Sequence, residues 1–266
     1  MEGWYVDTHC HLVSHRYGGE AEAVAKRSLA RGVRMLTVAA DVPSSHAGVA
    51  LAERCPGMRA AVGVHPTEAA GLDEAAWRGI EELALRPSVA AIGETGLDYY
   101  WKDCPHDIQK TWFVRHMELA LAVGKPVSVH ARDSVRDTLA MMEPFLARGL
   151  RAIWHCFVAG KKEIDWALDF SIEHGIWLGI GGLVTFEDQK PLRERAPRIP
   201  DRLLLLETDA PYLVPRPKTM ERNEPFGVIR VAEVLAELRG VEAGAVRDMT
   251  TATAGKLLGD WVVGEA

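Results

Sequence analysis

What most constrains the fold of this chain is a recurrence. Short apolar runs of β-forming residues return along the sequence, and most of them hand over to a histidine or a carboxylate where the apolar character stops. Trp4-Tyr5-Val6 leads into Asp7-Thr8-His9-Cys10-His11, and the run 59–64 leads into His65. The run 89–92 leads into Gly93-Glu94, 126–129 into His130, 151–154 into His155, and 203–206 into Glu207-Thr208-Asp209. Quieter runs lie at 33–40 and 176–180. Helical spacing fills the intervals at 20–31, 72–86, 106–123, 134–147 and 161–174, with a further stretch from Pro43 to Cys55 and two more at 225–238 and 243–258.

Continuous apolar runs that alternate with helices are the mark of parallel strands covered on both faces. His9 to His65 spans 56 residues, two units of 28; the next steps are 29 to Glu94, 36 to His130 and 25 to His155, and the last, to Asp209, is 54, two units of 27. With the two quiet runs this makes eight β/α units of similar length. An open doubly wound sheet carries a glycine-rich phosphate fingerprint at its first turn, and this first turn carries histidines. The expectation is an α/β fold, a (β/α)8 barrel with an additional C-terminal helix, forming one domain over residues 1–266.

In that architecture every strand's carboxyl end lies on one rim, where barrel active sites are built. His9, His11, His65, Glu94, His130, His155 and Asp209 all fall there. Any one of them reads equally well as a buried or solvated polar residue. Six strands delivering such a residue to one rim do not.

Residues two apart in an extended chain point to the same side, so His9 and His11 aim two imidazoles at one point, half of a divalent-metal site. Four histidines with two carboxylates exceed what one tetrahedral ion uses. The surplus implies two divalent ions, with Glu94 bridging them through its two oxygens. Asp209 can bind one ion and still act as general base on a water held between them. Histidine-rich ligation leans towards zinc or manganese. Cys10 and Cys156 adjoin ligand histidines, but alternation turns them away, into packing roles.

Composition bounds the rest. A hydrophobic share of 48% suits a large core, and a net charge of −6 argues against a broad nucleic-acid-binding face without excluding a basic patch at one mouth. Four cysteines without a Cys-x-x-Cys pair supply neither a disulfide framework nor a thiolate zinc site. No signal peptide and no apolar run of membrane-spanning length is evident, so a cytoplasmic, non-membrane, monomeric protein is the expectation.

The stretches DTHCHL (7–12), GVHP (63–66), GETGLDYY (93–100), VHAR (129–132), HCF (155–157), ETDAPYL (207–213) and RNEP (222–225) together resemble the TatD family of metal-dependent hydrolases, in the amidohydrolase-like superfamily of barrels. The resemblance covers nearly the whole chain. It implies that His9, His11, Glu94, His130, His155 and Asp209 bind two divalent metals and that His65 lies beside the reacting phosphate. It also implies nuclease activity at the 3′ ends of single-stranded DNA, often with magnesium, or in some members action on aminoacyl-tRNA esters. Val158 stands where the family often has Ser, and Thr253 and Leu258 stand where Asn and Phe are common. The first removes a possible hydroxyl near the site; the second concerns helix packing.

Arg132, two residues beyond a ligand, can reach a metal-bound phosphate or pair with Asp133. Arg216, Lys218 and Arg222 make the last loop locally basic. Tyr99, Tyr100 and Trp101 follow Glu94 closely and can stack on a base or pack their loop. Together these features lead to the expectation of a dinuclear phosphodiesterase, a 3′–5′ exodeoxyribonuclease, with catalytic Asp209, Glu94 and His65 and substrate contacts from Arg132, Tyr99 and His65. A metal-dependent ester or amide hydrolase is the first alternative, and a non-catalytic metal-binding interaction module the second.

Overall fold

Val33–Val38 is buried along its whole length, as a strand covered on both faces must be. It is the second of eight strands in the computed structural model, which describes residues 3–262. The strands are β1 (Tyr5–Cys10), β2 (Val33–Val38), β3 (Met58–Val62), β4 (Val89–Asp98), β5 (Val127–Arg132), β6 (Ala152–Trp154), β7 (Trp177–Ile180) and β8 (Leu204–Leu206), all parallel and hydrogen-bonded in chain order. Helices α1 (Ala21–Leu29), α2 (Val42–Arg54), α3 (Glu74–Ala84), α4 (His106–Val123), α5 (Val135–Leu146), α6 (Ile164–His174), α7 (Lys190–Arg195) and α8 (Val228–Arg239) alternate with them, and α9 (Ala243–Leu258) follows. The architecture is the expected TIM barrel with an extra C-terminal helix. Only α7 was not foreshadowed by helical spacing. It is short because Pro191, Pro197 and Pro200 punctuate its segment.

Two apolar layers hold the barrel. Between strands and helices lies the large core, which includes Met35, Trp77, Phe113 and Trp154. Inside the barrel, Val6, Leu36, Val38, Ala61, Ala91, Ile153 and Leu205 form a smaller cluster, joined by Ala254, Leu257 and Leu258 of α9 and by Val262. The additional helix therefore plugs the barrel end opposite the rim. Leu258 belongs to this plug, and the Thr253 hydroxyl donates to the Asp201 carbonyl at 2.9 Å, so both departures near the C-terminus are packing differences.

The β8–β1 seam is closed differently from the others. Its only ladder element among the described residues is the bridge Cys10–Ala210. Side chains complete it at the rim: the buried Asp7 carboxylate accepts the Thr208 backbone N–H at 3.0 Å and its hydroxyl at 2.6 Å, and Thr8 donates to the Leu206 carbonyl at 2.9 Å. The Asp209 N–H donates to His9 O at 2.9 Å, which pins the last ligand-type residue beside the first.

β4 is the main departure. The apolar run predicts a strand over 89–92, whereas the strand runs on to Asp98, pairing Thr95 to Asp98 with Val129 to Arg132 after an irregularity. Gly93 and Gly96, poor strand formers, hid this extension. At the same level β3 and β4 nearly touch: a Cβ on Gly63 would lie 2.7 Å from the Gly93 backbone.

Candidate metal centre

Six side chains meet at the rim. His9 lies in β1 and His11 just beyond it; Glu94 lies within β4, His130 in β5, His155 one residue after β6, and Asp209 three residues after β8. Glu94 is buried at their midpoint. Its Oε2 is 3.4 Å from His9 Nε2 and 3.5 Å from His11 Nε2, while its Oε1 is 3.0 Å from both His130 Nδ1 and His155 Nε2. His11 Nε2 is also 3.3 Å from Asp209 Oδ1. Within each half the two ring nitrogens stand 3.3 Å apart.

That spacing is itself a test of fit. Donors about 2.0–2.1 Å from a tetrahedral ion are separated by about 3.3–3.4 Å. The donor chemistry agrees, since imidazole and carboxylate together suit a divalent transition ion. Charge agrees as well. Burial lowers the pKa of His155, but the Glu94 and Glu207 carboxylates outweigh it and hold the pKa well above its ordinary value. Positive charge is favoured at that point.

Proton positions follow from what backs each ring. His11 Nδ1 lies 2.9 Å from the Val38 carbonyl, which can only accept, so Nδ1 carries the proton and the Nε2 lone pair faces inward. His130 Nε2 donates to Asp98 Oδ2 at 2.9 Å, which frees Nδ1 towards Glu94. His9 Nδ1 meets the Ser128 hydroxyl at 3.2 Å. His155 Nδ1 faces Glu207 Oε1 at 3.6 Å, an ion-pair distance.

His65 is backed the opposite way. Its Nδ1 accepts the Thr67 backbone N–H at 3.2 Å, so the proton sits on Nε2, 3.8 Å from Glu94 Oε1. Burial and the neighbouring His130 push its pKa down to about 3, so the ring is neutral. It offers the centre a hydrogen bond where His11 and His130 turn lone pairs inward.

Asp209 faces the same space. Burial pulls its pKa upward, but the hydrogen bond and charge of His11, with His155 and His9 behind, hold it below the ordinary carboxylate range. It is ionised and able to accept a proton. Arg132 also lines the cavity above the centre, a space of about 910 Å³. It makes no ion pair with Asp133 or any other described residue; its guanidinium lies 3.9 Å above the Tyr100 ring.

Other expected rim residues lie elsewhere. The Tyr99 hydroxyl donates to Asp137 at 2.8 Å and its ring stacks on His106, so it packs its loop, and Trp101 lines the cavity instead. Arg222 pairs with Glu20 at 2.8 Å and Arg216 lies over Phe186, so the basic loop does not face the cavity. Cys10 is buried with its thiol towards the Leu36 carbonyl, whereas Cys156 is only half buried.

Asp98 and Glu207 are two further carboxylates at the centre that strand-end position alone does not single out. Asp98 ends β4, holds His130, and accepts the Tyr100 and Trp101 backbone N–H groups at 2.9 and 3.0 Å. Glu207 is fully buried and accepts the Cys156 N–H at 2.5 Å. Glycine makes room for it, because a Cβ on Gly179 would lie 2.0 Å from Glu207 Oε2. The available signal was carboxylates four residues after Glu94 and two before Asp209.

The family profile described as TatD related DNase matches residues 6–259. The uncharacterized metal-dependent hydrolase YabD of Bacillus subtilis is 36% identical over 252 residues, 94% of this chain and 97% of that protein. The 3′–5′ ssDNA/RNA exonuclease TatD of Escherichia fergusonii is 33% identical over 259 residues, 95% and 98% of the two chains. Among solved structures, the Escherichia coli K12 TatD homologue YJJV superposes with a TM-score of 0.88 at 26% identity, covering 97% of this chain and 99% of that one.

Proposed function

The chain belongs to the TatD-related DNase family and is a metal-dependent hydrolase, and from that premise we propose a dinuclear phosphodiesterase that acts on the 3′ ends of single-stranded DNA. One observation carries the proposal. The two oxygens of Glu94 face two separate imidazole pairs, at 3.4 and 3.5 Å on one side and 3.0 Å on the other. His9, His11 and Asp209 would hold one ion, His130 and His155 the second, with Glu94 shared. When bound, such ions polarise a phosphoryl oxygen and acidify the attacking water.

The chain's own groups do the rest. Asp209 takes the proton of the attacking water, which suits an ionised carboxylate beside His11. His65 donates its Nε2–H to a phosphoryl oxygen, where charge grows in the transition state. Arg132 pairs with a neighbouring phosphate. Action from an end suits a single mouth on a chain of net charge −6, in which most of the last loop's cations turn elsewhere. It agrees with the exonuclease name carried by the relative at 33% identity.

The test compares linear single-stranded DNA, the same strand with a blocked 3′ end, and a closed circle, for the native chain and Asp209→Asn. Cleavage of the first alone is expected, lowered about 10²-fold or more in the variant. Rapid cutting of the circle overturns end action. Inactivity on all three with turnover of aminoacyl-tRNA overturns the phosphodiesterase.

A further inference from the structure

We propose that two aromatic rings at the mouth of the centre, Trp101 and Tyr212, are stacking subsites for the bases that flank the scissile phosphate of a single-stranded nucleic-acid end. The proposal rests on the phosphodiesterase reading and names how that site takes its substrate.

Both rings line the mouth cavity, and both remain open to water, Trp101 at 50% and Tyr212 at 39% exposure. Each is tied through its backbone to a different half of the centre. The Trp101 N–H donates to Asp98 Oδ1 at 3.0 Å, and the other oxygen of that carboxylate holds His130. The Tyr212 N–H donates to the Asp209 carbonyl at 2.8 Å, and its ring stands edge-on to His11 with centroids 6.1 Å apart. The Trp101 backbone is thereby tied to the His130 half, and the Tyr212 ring lies against the His11 half.

Each ring also has a cation beside it. The Arg16 guanidinium lies 4.8 Å from the Tyr212 ring centre, and Arg132 lies 5.8 Å from that of Trp101. Open aromatic faces interleaved with guanidinium groups match a strand of alternating bases and phosphates, because every base has a π-face and every linkage an anion. A small ester would use the centre and leave both rings idle. A duplex has no unstacked base to offer them.

The test measures equilibrium binding of a single-stranded DNA trinucleotide with non-cleavable methylenephosphonate linkages, intact or lacking one base. Trp101→Ala and Tyr212→Ala are each expected to weaken binding of the intact strand about tenfold, and Trp101→Phe and Tyr212→Phe to restore most of it. Removal of the base served by a ring is expected to cost the native chain the same factor and the matching Ala variant nothing further. Additive losses, no loss in the Ala variants, or no binding by the native chain overturns the subsites. Both rings are solvent-exposed, and unchanged melting temperatures exclude misfolding as the cause of a loss. Coupled losses without cleavage of an ordinary strand would sink the phosphodiesterase and leave the subsites standing. Cleavage with uncoupled losses would do the reverse.

Discussion

The two halves of the proposed centre share Glu94 and differ in nearly everything behind it. His9 and His11 are backed by neutral oxygens, the Ser128 hydroxyl at 3.2 Å and the Val38 carbonyl at 2.9 Å, and their half brings a carboxylate of its own in Asp209. His130 and His155 have no second carboxylate on the ligand side, but behind them stand Asp98 at 2.9 Å and Glu207 at 3.6 Å. Beyond the shared Glu94, an additional negative charge would touch an ion directly in one half and would work through the imidazoles in the other. A carboxylate behind a histidine fixes its tautomer and raises its basicity. It would also leave room on that side for a substrate oxygen. On the proposed dinuclear reading, water activation would fall to the Asp209 side and phosphate capture to the His130–His155 side.

The largest expected effect removes what the halves share. Glu94→Gln replaces one oxygen with an amide whose hydrogens point at a ligand nitrogen. Elemental analysis should show fewer than two ions per chain, with turnover falling further than the roughly 10–100-fold typical of outer partners. Two ions retained at full affinity would remove Glu94 from the bridge.

Next come the carboxylates that only one half possesses. Asp98→Asn and Glu207→Gln should each weaken one of two calorimetrically resolved ions about 10–100-fold, leaving the other within a few-fold of native. Equal weakening of both ions would break the comparison. A third ion lost with Asp98 would show that Asp98, His65 and His130, which also lie close enough to share a metal, form a site of their own.

A sharper view of ring backing comes from a histidine outside the centre. His116 Nε2 accepts the Val64 N–H at 3.1 Å and Nδ1 donates to the Trp112 carbonyl at 2.7 Å, an arrangement that requires the neutral ring. Burial, with Arg115 adding a smaller repulsion, lowers its pKa from 6.5 to about 4. Between those values the unfolded chain binds more protons, so this contribution is full above pH 6.5 and is lost as pH falls towards 4. At pH 5 the loss amounts to about 2 kcal/mol. His116→Gln should flatten the difference in unfolding free energy between pH 7.5 and 5 by about that much. An unchanged slope would place the titration elsewhere.

The meeting of the six side chains on one rim was legible in the sequence because it depends on local facts, a residue type at a strand's end. The carboxylates behind the histidines were not, because what they face is set by partners across the sheet. Asp98 meets His130 only because β4 runs past its apolar stretch to pair with β5, and that pairing overrides two glycines. Glu207 meets the segment after β6 from 51 residues away, in a space that exists only because position 179 lacks a side chain. The basic loop misled for the same reason. Arg222 is paired with Glu20, 202 residues earlier in the chain, so a cluster in sequence is not a cluster in space.

The smallest effect is the most discriminating. Ser128 is buried and its hydroxyl meets His9 Nδ1 at 3.2 Å, a neutral hydrogen bond at the long end of the usual range. His9 also has a second restraint, since its ring stacks on His155 with centroids 3.9 Å apart. Neutral bonds are roughly half as strong as charge-assisted ones, so Ser128→Ala should weaken a single ion by about threefold. That ion should be the one that Asp98→Asn leaves alone. If Ser128→Ala costs as much as Asp98→Asn, or weakens the same ion, charge behind the rings is not what separates the halves. A threefold loss confined to the opposite ion shows each half held by its own backing, strongly on one side and weakly on the other.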